Sequence, residues 1–122
     1  MIATVTRTVT FEAAHSLPHV CDGHKCGRVH GHSYRVTVRV RGEVQLRGQE
    51  AGMVVDFARI DAVGRELDHR TLNEITGLEN PTSELLAAWV VHRLQRDGIP
   101  CLDVRVAETD RSEAHVRAED LR

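Results

Sequence analysis

The chain has 122 residues, 41% of them hydrophobic, enough for one core and too few residues for a second independently folding unit. Sixteen Lys plus Arg against eighteen Asp plus Glu leave a net charge of -2, and only 3% of residues are aromatic. No global field therefore favours a nucleic acid or an acidic membrane, and the stacking faces of a single-strand platform are missing.

From Ala3 to Phe11 the odd positions Val5, Val9 and Phe11 are apolar and the even positions are Thr, which predicts a half-buried strand with Arg7 as its exception. Pro18 to Gly31, with three Gly and mixed polar residues, reads as a loop. His32 to Val40 alternates Tyr34, Val36, Val38 and Val40 with polar residues, predicting a second strand. A turn region from Gly42 to Gly52 leads to a short extended piece at Met53 to Val55. Asp56 is placed to cap a helix whose stripe is Phe57, Ile60, Gly64 and Leu67, ending near Asp68. A second helix is expected with Asn80 as cap, Pro81 at its first position and Leu86, Trp89, Val90 and Leu94 on one side. Leu102, Val104 and Val106 mark a third strand, and Ala114 to Ala118 a short fourth. The order implies an α+β domain over residues 1–122, a four-stranded antiparallel sheet with both helices on one face.

No apolar run approaches the ~20 residues of a membrane span, and nothing near the start reads as a signal peptide. The expected location is the cytoplasm. Three cysteines, Cys21, Cys26 and Cys101, are an odd number in such a chain, so metal or reactive-thiol roles outrank a disulfide framework.

Histidine is the outlier: eight in all, five of them between His15 and His32. Side chains alternate faces along a strand. Odd parity in the first strand runs through Ala13 to His15, and even parity in the second runs back through His32 to His30. Three imidazoles thus fall on the core-facing side at strand ends, with Gly31 allowing close approach. Three neutral imidazoles suit zinc and leave a fourth position for water or substrate. Two rival readings stand beside this one: ordinary hydrogen-bonded core histidines, and a closed structural site of Cys21, Cys26, His30 and His32. Cys26, flanked by Lys25 and Arg28, has the positive neighbours that favour a thiolate. Asp68 beside His69 is a candidate acid-base pair. Glu108 continues the even parity of the third strand, so its carboxylate faces the apolar side and requires a partner, either an Arg or a ligand presenting two N–H donors.

Phe-Glu-Ala-Ala-His at 11 to 15, Gly-His-Lys-Cys-Gly-Arg-Val-His-Gly-His at 23 to 32, Val-Asp-Phe at 55 to 57, Leu-Asp-His at 67 to 69, Asn-Pro-Thr-Ser-Glu at 80 to 84 and Glu-Thr at 108 to 109 resemble the 6-pyruvoyltetrahydropterin synthase family. The Cys-x-x-x-His-Gly-His spacing resembles its bacterial 6-carboxytetrahydropterin synthase branch, which serves queuosine and other 7-deazapurine pathways. The resemblance implies zinc on His15, His30 and His32, proton transfer by Cys26 with Asp68 and His69, and a pterin anchored by Glu108. It also implies the tunnelling fold, in which sheets of several subunits close a barrel and stack as a dimer of trimers, a homohexamer with sites at subunit boundaries. The reaction implied converts 7,8-dihydroneopterin triphosphate to 6-carboxy-5,6,7,8-tetrahydropterin, acetaldehyde and triphosphate. Lys25 and Arg28 are added here as candidates for the triphosphate. The alternatives are a 6-pyruvoyl product and a zinc-stabilised interaction module without catalysis.

Overall fold

The computed structural model describes residues 1–121. Two long strands, β1 (Ile2–His15) and β2 (His30–Glu43), are followed by α1 (Phe57–Leu67), a two-residue strand β3 (Arg70–Thr71), α2 (Ser83–Arg96), β4 (Cys101–Thr109) and β5 (Ser112–Arg117). They form an α+β layer whose sheet order is β3-β1-β2-β4-β5, with α1 packed on β1 and α2 on β4 and β5.

The alternation read from the sequence is the alternation of burial. In β1 the odd positions point to the helices, from half-buried Val5 and Val9 to buried Phe11, Ala13 and His15, while the threonines face out. In β2 the buried set is Tyr34, Val36, Val38 and Val40. These meet Ile60, Val63 and Leu67 of α1, Leu86, Val90 and Leu94 of α2, and Val104 and Val106 of β4 in one core. Each such side chain contributes about 1.5–3 kcal/mol when fully buried. Arg7, the polar exception on the inner face, is satisfied by a two-pronged bond to Asp61 of α1 at 2.9 and 2.8 Å. Gly64 lets α1 lie close on β1, because a methyl group there would overlap Val9 Cγ1.

Four expectations are corrected. The sheet has five strands, since Arg70 and Thr71 add a short parallel edge to Ala13 and Ala14 that is too brief to show any periodicity. Met53 to Val55 form no strand; Val54 and Val55 are buried as an irregular segment before the Asp56 cap, whose side chain accepts from Ala58 N–H as expected. The second helix is capped by Thr82 and not Asn80, with Thr82 Oγ1 accepting the Leu85 N–H at 3.2 Å. Leu102 is exposed, because the register slips there: Val40 pairs with Cys101 and Arg39 with Asp103, leaving Leu102 as the extra residue of a bulge. Cys101 takes the inward place and is buried, and burial pushes its thiol up to about 12, which makes it unreactive. No helix among the described residues is long and apolar enough to cross a membrane.

Candidate metal centre and active site

The antiparallel register of β1 and β2 sets His15 directly opposite His30 and Ala13 opposite His32. Because all three imidazoles share the inner face, their ring centroids lie 4.6 to 5.0 Å apart, each pair edge to face. One ligand atom from each falls within 4.8 Å of the others, and no other group of three His, Cys, Asp or Glu among the described residues does this.

Hydrogen bonds decide which nitrogens are free. His15 Nδ1 lies 2.8 Å from the Pro81 carbonyl and His30 Nδ1 lies 2.7 Å from the Arg28 carbonyl. A carbonyl only accepts, so both Nδ1 atoms carry the proton and both Nε2 atoms present lone pairs in the neutral ring. Those two Nε2 atoms face each other at 3.0 Å. The third, His32 Nε2, is buried without a hydrogen-bond partner. Burial holds the pKa of His32 below its ordinary value, with Glu108 opposing the shift and His15 and His30 adding to it. Converging lone pairs repel one another unless a cation sits among them, and three imidazoles are a donor set that suits zinc. The residues present fit a divalent ion.

The three histidines line a cavity of about 410 Å³ together with Leu17, Lys25, Cys26 and Glu108. Cys26 is half-buried in a tight turn, Lys25–Gly27, that the main chain pins down. Its N–H donates to His24 Nδ1 at 3.0 Å, and its carbonyl accepts the Leu17 N–H at 2.8 Å. The Cys26 backbone is thus tied to the segment that leaves β1 after His15. Glu108, partly exposed, pairs with no Arg among the described residues: Oε2 lies 3.4 Å from His32 Nε2 and Oε1 3.9 Å from His15 Nε2. Lys25 lines the cavity, whereas the exposed Arg28 side chain does not and contributes its carbonyl to His30. Cys21 is exposed and outside the histidine group, so the closed site of Cys21, Cys26, His30 and His32 is not formed.

Asp68 and His69 form the expected pair, Oδ2 to Nδ1 at 2.9 Å, but not in this cavity. Asp68 caps the end of α1 and its Oδ1 accepts the Glu12 N–H at 3.0 Å, while the His69 N–H donates to the Glu12 carbonyl at 2.6 Å. The Glu12 N–H, and then His69, hold the Asp68 carboxyl below the usual carboxylate range. His69 has the left-handed backbone, φ 59°, and its ring is 79% exposed in a shallow cleft that also includes Gly31, His32 and Arg70.

Sequence reasoning missed the two carbonyls that set the tautomers and the part played by Tyr34. The Tyr34 ring stacks on Phe11 at 5.1 Å and stands edge-on to His15 and His32 at 5.9 and 5.6 Å. Its buried hydroxyl has no partner, and burial with the nearby Glu108 carboxylate pushes its pKa well above the phenol range. Even parity marked Tyr34 as core, and nothing local marks a carbonyl as a ligand orienter.

Comparison with known proteins supplies the context for this geometry. Residues 4–119 match the family model for 6-pyruvoyl tetrahydropterin synthase. The chain is 45% identical over 117 residues to the 6-carboxy-5,6,7,8-tetrahydropterin synthase of Synechocystis sp., covering 90% of this chain and 89% of that one. It is 34% identical over 101 residues to the dihydroneopterin monophosphate aldolase of Pyrococcus furiosus, covering 80% and 79%. Among solved structures, 6-pyruvoyl tetrahydropterin synthase of Caenorhabditis elegans superposes with a TM-score of 0.77 at 27% identity, over 97% of this chain and 96% of that one. A match that runs unbroken from the β1 histidine to the strand carrying Glu108 makes this chain a member of the 6-pyruvoyl tetrahydropterin synthase family.

Proposed function

We propose that the chain is a zinc-dependent 6-carboxy-5,6,7,8-tetrahydropterin synthase, a carbon-carbon lyase acting on 7,8-dihydroneopterin triphosphate on the way to queuosine or another 7-deazapurine. Its products are 6-carboxy-5,6,7,8-tetrahydropterin, acetaldehyde and triphosphate. One water is consumed, since the carboxyl group gains an oxygen that the substrate carbon lacks. The observation that carries this reading is the convergence of three imidazole lone pairs in one cavity with a half-buried thiol and a carboxylate. The 45% identity to the Synechocystis synthase supports the choice of product.

His15, His30 and His32 hold the ion, with the Pro81 and Arg28 carbonyls fixing the outer nitrogens of the first two. Zinc bound there supplies a Lewis acid for the oxygens of the substrate side chain. Cys26 takes a proton from the side chain as its thiolate, and the Asp68–His69 pair handles the proton on the opposite side. Glu108 belongs to the substrate-binding set as a carboxylate acceptor. Lys25, at the mouth, and Arg28 favour the triphosphate.

A homo-oligomer, a dimer of trimers closing a barrel, accounts for two features of the single chain. The edge strands β3 and β5 are left without outer neighbours, and the Asp68–His69 pair faces away from its own chain's cavity. Pairing of edges between subunits covers the first and brings the pair of one subunit to the cavity of another. A second reading is favoured by the Pyrococcus furiosus relative, which is a dihydroneopterin monophosphate aldolase. Mass spectrometry of purified protein incubated with 7,8-dihydroneopterin triphosphate, and separately with the monophosphate, distinguishes the two. The proposal expects a carboxypterin and acetaldehyde from the triphosphate. A 6-pyruvoyl product, turnover of the monophosphate alone, or no turnover at all overturns it.

A further inference from the structure

The end of β1 that carries His15 has a neighbour on each side. On one side is β2, with His30 opposite His15. On the other, residues 68–73 run beside β1 and bond to it almost residue by residue. The Glu12 N–H donates to Asp68 Oδ1 at 3.0 Å, the His69 N–H donates to the Glu12 carbonyl at 2.6 Å, and Arg70 and Thr71 pair with Ala13 and Ala14. The main chain then turns away in a single helical turn, Leu72–Glu74, anchored by fully buried Leu72. At that point the side chain of half-buried Asn73 continues the pairing. Its Oδ1 accepts the Ser16 N–H at 3.0 Å and its Nδ2 donates to the Ser16 carbonyl at 2.8 Å, so one amide holds both backbone groups of the residue after His15.

The same Nδ2 is 3.5 Å from the Glu79 carbonyl, two residues before Pro81, whose own carbonyl lies 2.8 Å from His15 Nδ1. Asn73 thus meets both supports of the His15 ring, the main chain that bears it and the loop that aims it. Only a side-chain amide offers one acceptor and two donated protons from adjacent atoms; an ionised Asp has no proton to give, and a hydroxyl has one. Asn73 does not line the histidine cavity, so any effect it has on the ion passes through His15. We propose that Asn73 is a positioning residue of the metal centre, setting zinc affinity by fixing the His15 imidazole against the Pro81 carbonyl. This rests on the three-histidine metal site of the proposed function. Asp68 and His69 begin the segment that Asn73 ends, so the ligand and the acid-base pair are mounted on one ladder of bonds along β1.

The test measures zinc affinity of the full-length oligomer by competition with a chromophoric chelator. Asn73→Ala should weaken binding about 10- to 100-fold, the range for groups that orient metal ligands. Asn73→Leu, which fills the space and makes none of the bonds, should weaken it as much, and serves if the Ala variant does not fold. Gly64→Ala disturbs α1 without touching Asn73 or Ser16 and should keep wild-type affinity. Equal losses in Gly64→Ala and the Asn73 variants would mark a general effect of stability and overturn the assignment. Wild-type affinity in Asn73→Leu would overturn it as well, while leaving the histidine site intact. Retention of wild-type affinity by His30→Ala would remove the histidine site itself, and this proposal with it. Because coupling is reciprocal, the wild type gives a reading independent of any variant: zinc should slow hydrogen exchange of the Ser16 N–H by roughly tenfold or more. Exchange at Ser16 that is indifferent to zinc refutes the proposal.

Discussion

The histidine cavity and the Asp68–His69 pair are two parts of one proposed site, and the chain treats them differently. The cavity is assembled inside the chain. Register sets His15 against His30, parity brings in His32, and a pinned turn presents Cys26. The pair is equally well held, by Glu12 of β1, yet its imidazole is mostly exposed and opens onto another cleft. Metal binding should therefore be a property of the subunit, and proton transfer by the pair a property of the assembly.

The largest effect that would break this comparison is loss of a ligand. His30→Ala should take bound metal from one ion per chain to almost none and cut turnover by more than about 100-fold, as seen by elemental analysis and product formation. Cys26→Ala should retain the metal and lose about 10²- to 10⁴-fold in kcat, the range of a removed acid-base group. If it loses the metal instead, the cavity is a sulfur-ligated structural site. His69→Ala should behave like Cys26→Ala when assayed alone. Refolded together in equal amounts, the two inactive variants should recover activity, because about a quarter of sites built from two different chains then hold both intact groups. No recovery on mixing would put Cys26 and His69 of one site in the same chain.

Two smaller effects sharpen the contrast. Gly64→Ala should cost about 1–3 kcal/mol in urea unfolding by pushing α1 off Val9. It should also lower kcat, since α1 carries the pair, while leaving metal affinity unchanged. On β4, Asp103 is buried under Arg39 and His115 on the helix-free face. Its bond to Arg39, and then that to His115, hold its carboxyl below the ordinary range against the opposing effect of burial. A depressed folded-state pKa means stability that is fully present above the unfolded value, about 4, and is lost as pH falls through the lower folded value. Asp103→Asn should remove that part of the acid loss, measured by urea titration between pH 6 and 3.

Much of the site was legible because strand parity is a local property. Val5, Val9, Phe11 and Tyr34 to Val40 announce their faces, and His15, His30 and His32 follow by counting. Most of what escaped depends on groups distant in sequence. The bulge at Leu102 arises from pairing with β2, and β3 exists only because Arg70 and Thr71 lie beside Ala13 and Ala14. The Thr82 cap displaced the expected Asn80, and the Pro81 carbonyl beside it turned out to hold His15, 66 residues away. The separation of Asp68–His69 from Cys26 is of the same kind, since adjacency in a motif says nothing of which cavity a side chain enters.

Everything in the proposed chemistry depends on three imidazoles of one subunit sharing a divalent ion. The most direct measurement is zinc content by elemental analysis of the wild type and of a His15→Ala, His30→Ala, His32→Ala triple variant, each loaded with zinc and then freed of excess. The account predicts one zinc per chain in the first and none in the second, with both folded by circular dichroism. Equal zinc in the two proteins, or none in the wild type, would contradict it.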